Sequence, residues 1–315
     1  MQAFLQKKFT NFAAAFAFGV NNMHIKRYKN AYFVNKKGCS AMIRTDMACE
    51  EYQRTLGGGI EGAVSRSERA ENACFEIHRT QILTKQASQK LSKPVGSYVT
   101  IKTCDLPFDA HSDAFAQRVE VIAAEILSLC KERRSVLVAG LGNEKITPDA
   151  IGALCARWIF ATRHIKQFAG EIYSAQLTEV SALHTGVIGQ TGVEAADIVK
   201  AVCAQVRPDI VIAVDALACC DAHSLGCTIQ LTDTGISPGS GVENSRKELS
   251  RATLGVPCIA IGIPTVIDCE AGGQTMMVTP RNIDSLVQNG ARYISCAINR
   301  AFQPFLTLDE LMSLV

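Results

Sequence analysis

None of the 13 cysteines is spaced C-x-x-C from another, and their number is odd. That pattern argues against a disulfide scaffold or a zinc site and fits a reducing cytoplasm. Neither sign of charge dominates: 32 Lys and Arg against 30 Asp and Glu leave a net charge of +2. A chain so nearly neutral carries no electrostatic footprint for direct nucleic-acid binding or for a membrane surface. No long hydrophobic run is present either. The leader stretch Phe9 to Val20 is broken by Thr10 and Asn11 and is too short to span a bilayer. Internal repeats and low-complexity tracts are missing. Gly140-Leu-Gly-Asn-Glu-Lys145 lacks the third glycine of a dinucleotide fingerprint and the G-K-S/T ending of a phosphate loop, so nucleotide binding has no motif to rest on.

What is present suits a large core. The 315 residues, 48% hydrophobic and 20% charged, can hold one large domain or one and a half ordinary ones. Met1 to Val20 resembles a weak signal peptide, with Lys7 and Lys8 before the apolar stretch and small residues near Ala15 and Ala17. A basic leader follows, with Lys26, Arg27, Lys29, Lys36 and Lys37. Secretion sits badly with so many unpaired cysteines. The start is therefore read as an unfolded pro-segment or an over-long beginning, in a cytoplasmic protein. Residues 50–95 are polar and contain Gly57-Gly-Gly59, which predicts a flexible or peripheral region.

Beyond that point strands and helices alternate. Val95 to Thr103 has strand alternation, and Phe115, Val119, Ile122, Ile126 and Leu129 mark a helix over 113–133. A buried strand is expected at 135–140, then a helix from Pro148 to about 163 with Thr147 as N-cap. Further strands are expected at 179–184, 209–214, 227–232 and 256–263. Thr191 and Glu194 have capping-box spacing for the helix carrying Ile198, Val199, Val202 and Val206. A last helix starts at Thr279-Pro280 and buries Ile283, Leu286, Val287, Ile294, Ala297, Ile298 and Ala301. This order predicts an α/β fold, a mostly parallel twisted sheet with helices on both faces.

Two acids stand out. Asp149 follows the turn after strand 135–140, and Asp215 ends the run Ile210-Val-Ile-Ala-Val214. Open α/β sheets keep their sites at such strand ends. Paired carboxylates suit acid–base hydrolysis, one activating water while the other, protonated, donates. Alone, each acid has a bland reading: Asp149 as a helix N-terminal charge, Asp215 as a cap. Asp233-Thr-Gly235 matches the tripeptide of pepsin-like proteases, but those are all-β, so the match is read as coincidence with a binding role for Asp233 left open. The glycine-rich turn Ser237 to Gly241, leading into Arg246-Lys-Glu-Leu-Ser-Arg251, could hold an anion. A solvated loop is the plainer reading. His164 reads as a basic residue near a helix end, and His184 and His223 as metal ligands that no spacing demands.

Together these segments resemble the germination protease family. The resemblance is carried by Arg44-Thr-Asp-Met-Ala48, Gly140-Leu-Gly-Asn143, Thr147-Pro-Asp-Ala150, Thr162-Arg-His164, Val180-Ser-Ala182, Gly186-Val187 and Thr191-Gly-Val-Glu194. It continues through Ala213 to Ala218, Thr228-Ile-Gln230, Asp233 to Val242, Arg246 to Ser250, Leu254 to Pro257, Ala260 to Thr265 and Val278-Thr-Pro280. It covers residues 42–304 in order.

The resemblance implies an endopeptidase degrading small acid-soluble spore proteins at germination, inside the spore, with a fold like the hydrogenase-maturation proteases. It also implies a homotetrameric zymogen and places the family's acids on Asp149 and Asp215. Family substrates are cut after an acid and before an apolar residue, with Ala and Glu following. Asp46, Met47, Ala48 and Glu50 reproduce this order, so self-processing is expected between Asp46 and Met47. Residues 1–46 are then the pro-segment and 47–315 a single peptidase domain. An acid before the cut implies a basic pocket, for which Arg246, Lys247 and Arg251 are the candidates. No cofactor is implied with certainty, and a divalent metal between the acids is an open alternative. Other readings are a metal-dependent maturation peptidase, a non-catalytic spore-protein-binding homologue and a nucleotide-binding regulator. Departures from the family pattern include Glu144-Lys145, Ala153, His184, a longer pro-segment and a short 265–277 segment.

Overall fold

The computed structural model describes residues 45–55, 59–70, 75–103, 106, 112–130, 134–168, 177–239, 246–271 and 274–315. The chain divides into two units, Met1–Met42 and Ile43–Val315; the first, which holds most of the expected pro-segment, lies outside the described residues.

The centre of the second unit is a sheet strip read from apolar runs: β4 (Ser135–Gly140), β5 (Glu179–His184), β6 (Ile210–Cys219) and β8 (Cys258–Ala271). These pair in parallel in the order β8-β6-β4-β5. A strand covered on both faces must be apolar on both, and the alternation sorts its residues. Val136, Val138, Ile210, Ile212 and Val214 face one cluster with Phe115, Ile151, Tyr293 and Ile294. Leu137, Ala139, Val211 and Ala213 face the other, with Ala196, Val199 and Leu254. Helices α3 (Asp113–Leu129), α4 (Ile151–Arg157) and α9 (Ile283–Phe302) therefore cover the first face, and α7 (Ala195–Val206) with α8 (Arg251–Leu254) the second. Burying Ile212 completely contributes about 1.5–3 kcal/mol. Ser112 starts α3 by accepting the Phe115 N–H, and Phe115 stacks against Tyr293 of α9 with centroids 4.8 Å apart.

The α/β class is as expected, but among the described residues the sheet has nine strands and is mixed. β1 (Ala63–Ala70), β2 (Phe75–Ile82), β3 (Gly96–Lys102) and β7 (Thr228–Thr232) add to β8 in antiparallel fashion, and β9 (Gln274–Val278) folds back on β8. Residues 50–95, expected to be flexible or peripheral, supply the edge of this sheet together with α1 (Ala48–Arg54) and α2 (Lys85–Leu91). Within the short 265–277 segment, the end of β8 pairs in antiparallel fashion with β9.

Three local expectations need correction. The helix expected from Pro148 to 163 is a 3-10 turn at Thr147–Asp149, then α4, then the separate α5 (Arg163–Phe168). Asn299 of α9 breaks it: its Oδ1 accepts the Phe160 N–H and its Nδ2 donates to the Trp158 carbonyl. His164 thus sits at the start of α5, not near a helix end. The Thr191/Glu194 capping box does not form. Thr191 closes the short α6 (Ile188–Thr191), where Gly192 takes φ +71°, and its hydroxyl bonds Val187 O and the Val193 N–H. The final helix begins at Ile283, with no side-chain cap, rather than at Pro280.

Candidate active site

Asp149 and Asp215 approach each other where β4 stops. Gly140, the last residue of β4, pairs with Val214, so Asp215 is the first β6 residue beyond its neighbour's end. It was expected to terminate the strand. Instead β6 runs on to Cys219 and leaves Asp215 inside it, 5% exposed. The backbone leaves β4 through Gly142 at φ +93°, a conformation L side chains avoid. A Cβ there would collide with the Asp149 carbonyl oxygen. This turn lets the Asn143 N–H donate to Asp149 Oδ2 at 2.8 Å. The turn carrying Asp149 is tied to β8 by Thr265, wholly buried, whose hydroxyl donates to Pro148 O at 2.6 Å. Asp149 is thus set by a 3-10 turn and two hydrogen bonds, not by a capped α-helix.

Burial raises the Asp149 carboxyl above its usual range, partly offset by the Asn143 N–H. Burial raises Asp215 further, and the neighbouring Asp149 charge adds to this; the Ala216 N–H pulls the other way and Asp46 pushes up again. Two such acids do not both ionise readily. Of the two, Asp149 is the more readily ionised and Asp215 the more strongly inclined to keep its proton.

The expected processing segment lies against the same strand. The Asp46 N–H donates to Ala218 O at 2.9 Å, and the Ala218 N–H donates to Asp46 Oδ2 at 2.9 Å. Met47 is fully buried against Cys49, Leu217 and Cys219. Glu50 Oε2 accepts the Thr45 hydroxyl at 2.5 Å and the Cys220 N–H at 2.9 Å. Lys93 Nζ donates to Thr45 O at 2.8 Å; burial lowers its pKa while Asp46, Glu51 and Glu50 pull it back up.

The other candidates are placed as follows. Asp233 Oδ1 accepts the Ser97 N–H at 2.8 Å, tying β3 to the end of β7. Arg246 N–H donates to Pro238 O, Lys247 Nζ pairs with Asp197 on the surface at 2.7 Å, and Arg251 opens α8. His184 Nε2 lies 3.3 Å from Gly142 O, on the turn that positions Asp149. The His223 N–H bonds Asp221. Among the described residues no group of three or more His, Cys, Asp and Glu side chains is gathered as a metal would need. Asn143, Thr265, Lys93 and Gln230 were not picked out from sequence. Asn143, Thr265 and Gln230 lie inside the motifs that carried the family resemblance, but nothing in their residue type announced a role.

A family model described as germination protease matches residues 41–272. The chain belongs to the germination protease family. A germination protease of Caldanaerobacter subterraneus subsp. tengcongensis is 37% identical, covering 87% of this chain and 98% of that protein. One from Clostridium perfringens is 32% identical over 85% and 98%, and one from Bacillus cereus 37% over 79% and 68%. Family membership makes the chain a peptidase. The crystal structure of a NiFe hydrogenase maturation protease, HycI from Thermococcus kodakarensis KOD1, covers 55% of this chain and 98% of that one at 17% identity. The TM-score between the two is 0.33. Among the described residues, no helix is long and apolar enough to cross a membrane.

Proposed function

We propose that the chain is a self-processing zymogen of an endopeptidase that cuts small acid-soluble spore proteins after Asp or Glu during germination, inside the spore and as a homotetramer. Asp149 and Asp215 perform the hydrolysis. Asp149, the more readily ionised, takes a proton from water, while Asp215, whose protonated form burial favours, donates one to the carbonyl oxygen or departing amine. The first cut falls between Asp46 and Met47, removing residues 1–46.

One observation carries this reading. The segment with the order of a family substrate is hydrogen-bonded to β6 three residues past Asp215, through Asp46 and Ala218. An acid before the cut also calls for a cation. Arg246, Lys247 and Arg251 remain candidates for it, and Lys93 joins them because its ammonium already sits on the peptide that precedes Asp46.

The test is to incubate the purified full-length chain and a spore-protein peptide with and without chelator. Shortening to a Met47 N-terminus, and peptide cuts after acidic residues that chelator leaves unchanged, are expected. A first residue far from Met47, or cuts with no acidic preference, would overturn the reading.

A further inference from the structure

One side chain holds both flanks of the Asp46–Met47 linkage. Gln230, in β7 and 6% exposed, donates from Nε2 to the Asp46 carbonyl oxygen at 2.9 Å. Its Oε1 accepts the Ala48 N–H at 2.7 Å. This second bond fixes which end of the amide faces the Asp46 carbonyl. Gln230 and Asp215 also share one cross-strand row, because both pair with Gly262 of β8. Paired residues project from the same face, and two strand steps of about 4.8 Å separate them. Gly262 has no side chain of its own, and the Leu217 side chain packs over it. Asp46 meanwhile is bonded to Ala218 on the Asp215 strand. The carbonyl before the cut therefore has the amide on its oxygen, and its residue is tied to the strand that carries Asp215.

We propose that Gln230 is a further catalytic residue, whose Nε2–H stabilises the oxyanion formed on the carbonyl before the cut, while Oε1 registers the chain two residues beyond it. This rests on the reading that Asp46–Met47 is the bond hydrolysed. Water adds through its oxygen to the Asp46 carbonyl carbon, giving a proton to Asp149, and the C=O π pair moves onto the oxygen facing Nε2. When the intermediate collapses, the C–N bond breaks, the Met47 nitrogen takes a proton, and Asp46 keeps the new carboxyl. One preorganised donor of this kind is worth about 10²–10³ in rate.

Gln230→Glu keeps the size and the acceptor for the Ala48 N–H but removes the amide donor. Gln230→Met removes both. Self-cleavage of the full-length chain is followed by N-terminal sequencing from pH 5 to 8, with each rate divided by wild type at the same pH and thermal melting run alongside. Gln230→Glu is expected to cut about 10²–10³ times more slowly at pH 8. It should recover toward pH 5, where a protonated carboxyl regains an O–H donor. Gln230→Met should stay slow throughout. Wild-type cutting at Met47 with either variant undiminished overturns the role of Gln230 alone. So does slowing of Gln230→Glu that shows no recovery, or that follows a lost melting transition. If wild type cuts elsewhere or not at all, the cleavage-site reading falls, and this role with it.

Discussion

The parallel strip β8-β6-β4-β5 and the antiparallel extension β1-β2-β3-β7 divide the labour of the site. The first supplies the acids: Asp215 from β6 and Asp149 from the turn after β4. The second supplies the groups that grip the chain's own Thr45–Ala48 segment: Gln230 from β7 and Lys93 from the turn before β3. In the strip, chemistry is charged and sits where a strand outruns its neighbour. In the extension it is carried by a neutral amide and a lysine ammonium, while the backbone pairing with Asp46 comes from Ala218 of β6. A site split in this way is half visible to a search for titratable residues.

The contrast can be broken most severely at the acids. Asp149→Asn should slow self-cleavage by about 10²–10⁴, the usual worth of a positioned general base, measured by the appearance of the shortened chain; a loss under tenfold would remove it from the chemistry. Next comes packing. Ile212→Ala, fully buried in the strip, should cost about 2–5 kcal/mol in urea denaturation. Val64→Ala on β1, 41% exposed, should stay within about 0.5 kcal/mol. Equal costs would mean that the two regions do not differ in how they stabilise the fold.

A smaller effect tests the electrostatics. The Asp215 pKa is raised on folding, so the folded state binds more protons than the unfolded one above the ordinary carboxylate range. Stability from this group is complete below the unfolded value and is lost as pH rises through the folded one. Asp215→Asn should therefore raise the melting temperature at pH 7–8, and the gain should shrink as pH falls toward the ordinary carboxylate range. A gain that grows on acidification would contradict the shift. The smallest effect is Lys247→Ala. Its exposed pair with Asp197 is screened by solvent, and losing it should leave the melting temperature nearly unchanged. Cutting should continue within twofold unless Lys247 does read the acidic side chain.

How far sequence reading reached follows the same division. Strand 135–140 is legible to the residue, because an uninterrupted apolar run ends at Gly140. Asp215 is legible as an acid but not as mid-strand. The apolar run Ile210–Val214 stops at a carboxylate, whereas the backbone keeps pairing with β8 through Cys219. The break after Arg157 depends on Asn299, some 140 positions away, and has no local signal. The polar residues of β1 and β2 hid two strands because an edge is wetted, so period-2 burial is shallow. Gln230 carries no charge and lies in a fully buried strand. Its role comes only from what register places opposite it.

The most direct measurement is N-terminal sequencing of the full-length chain after incubation, beside Asp149→Asn and Asp215→Asn. A new start at Met47 in the wild type and in neither variant is the result expected of a carboxylate pair cutting its own pro-segment. A Met47 start at the wild-type rate in either variant would contradict it.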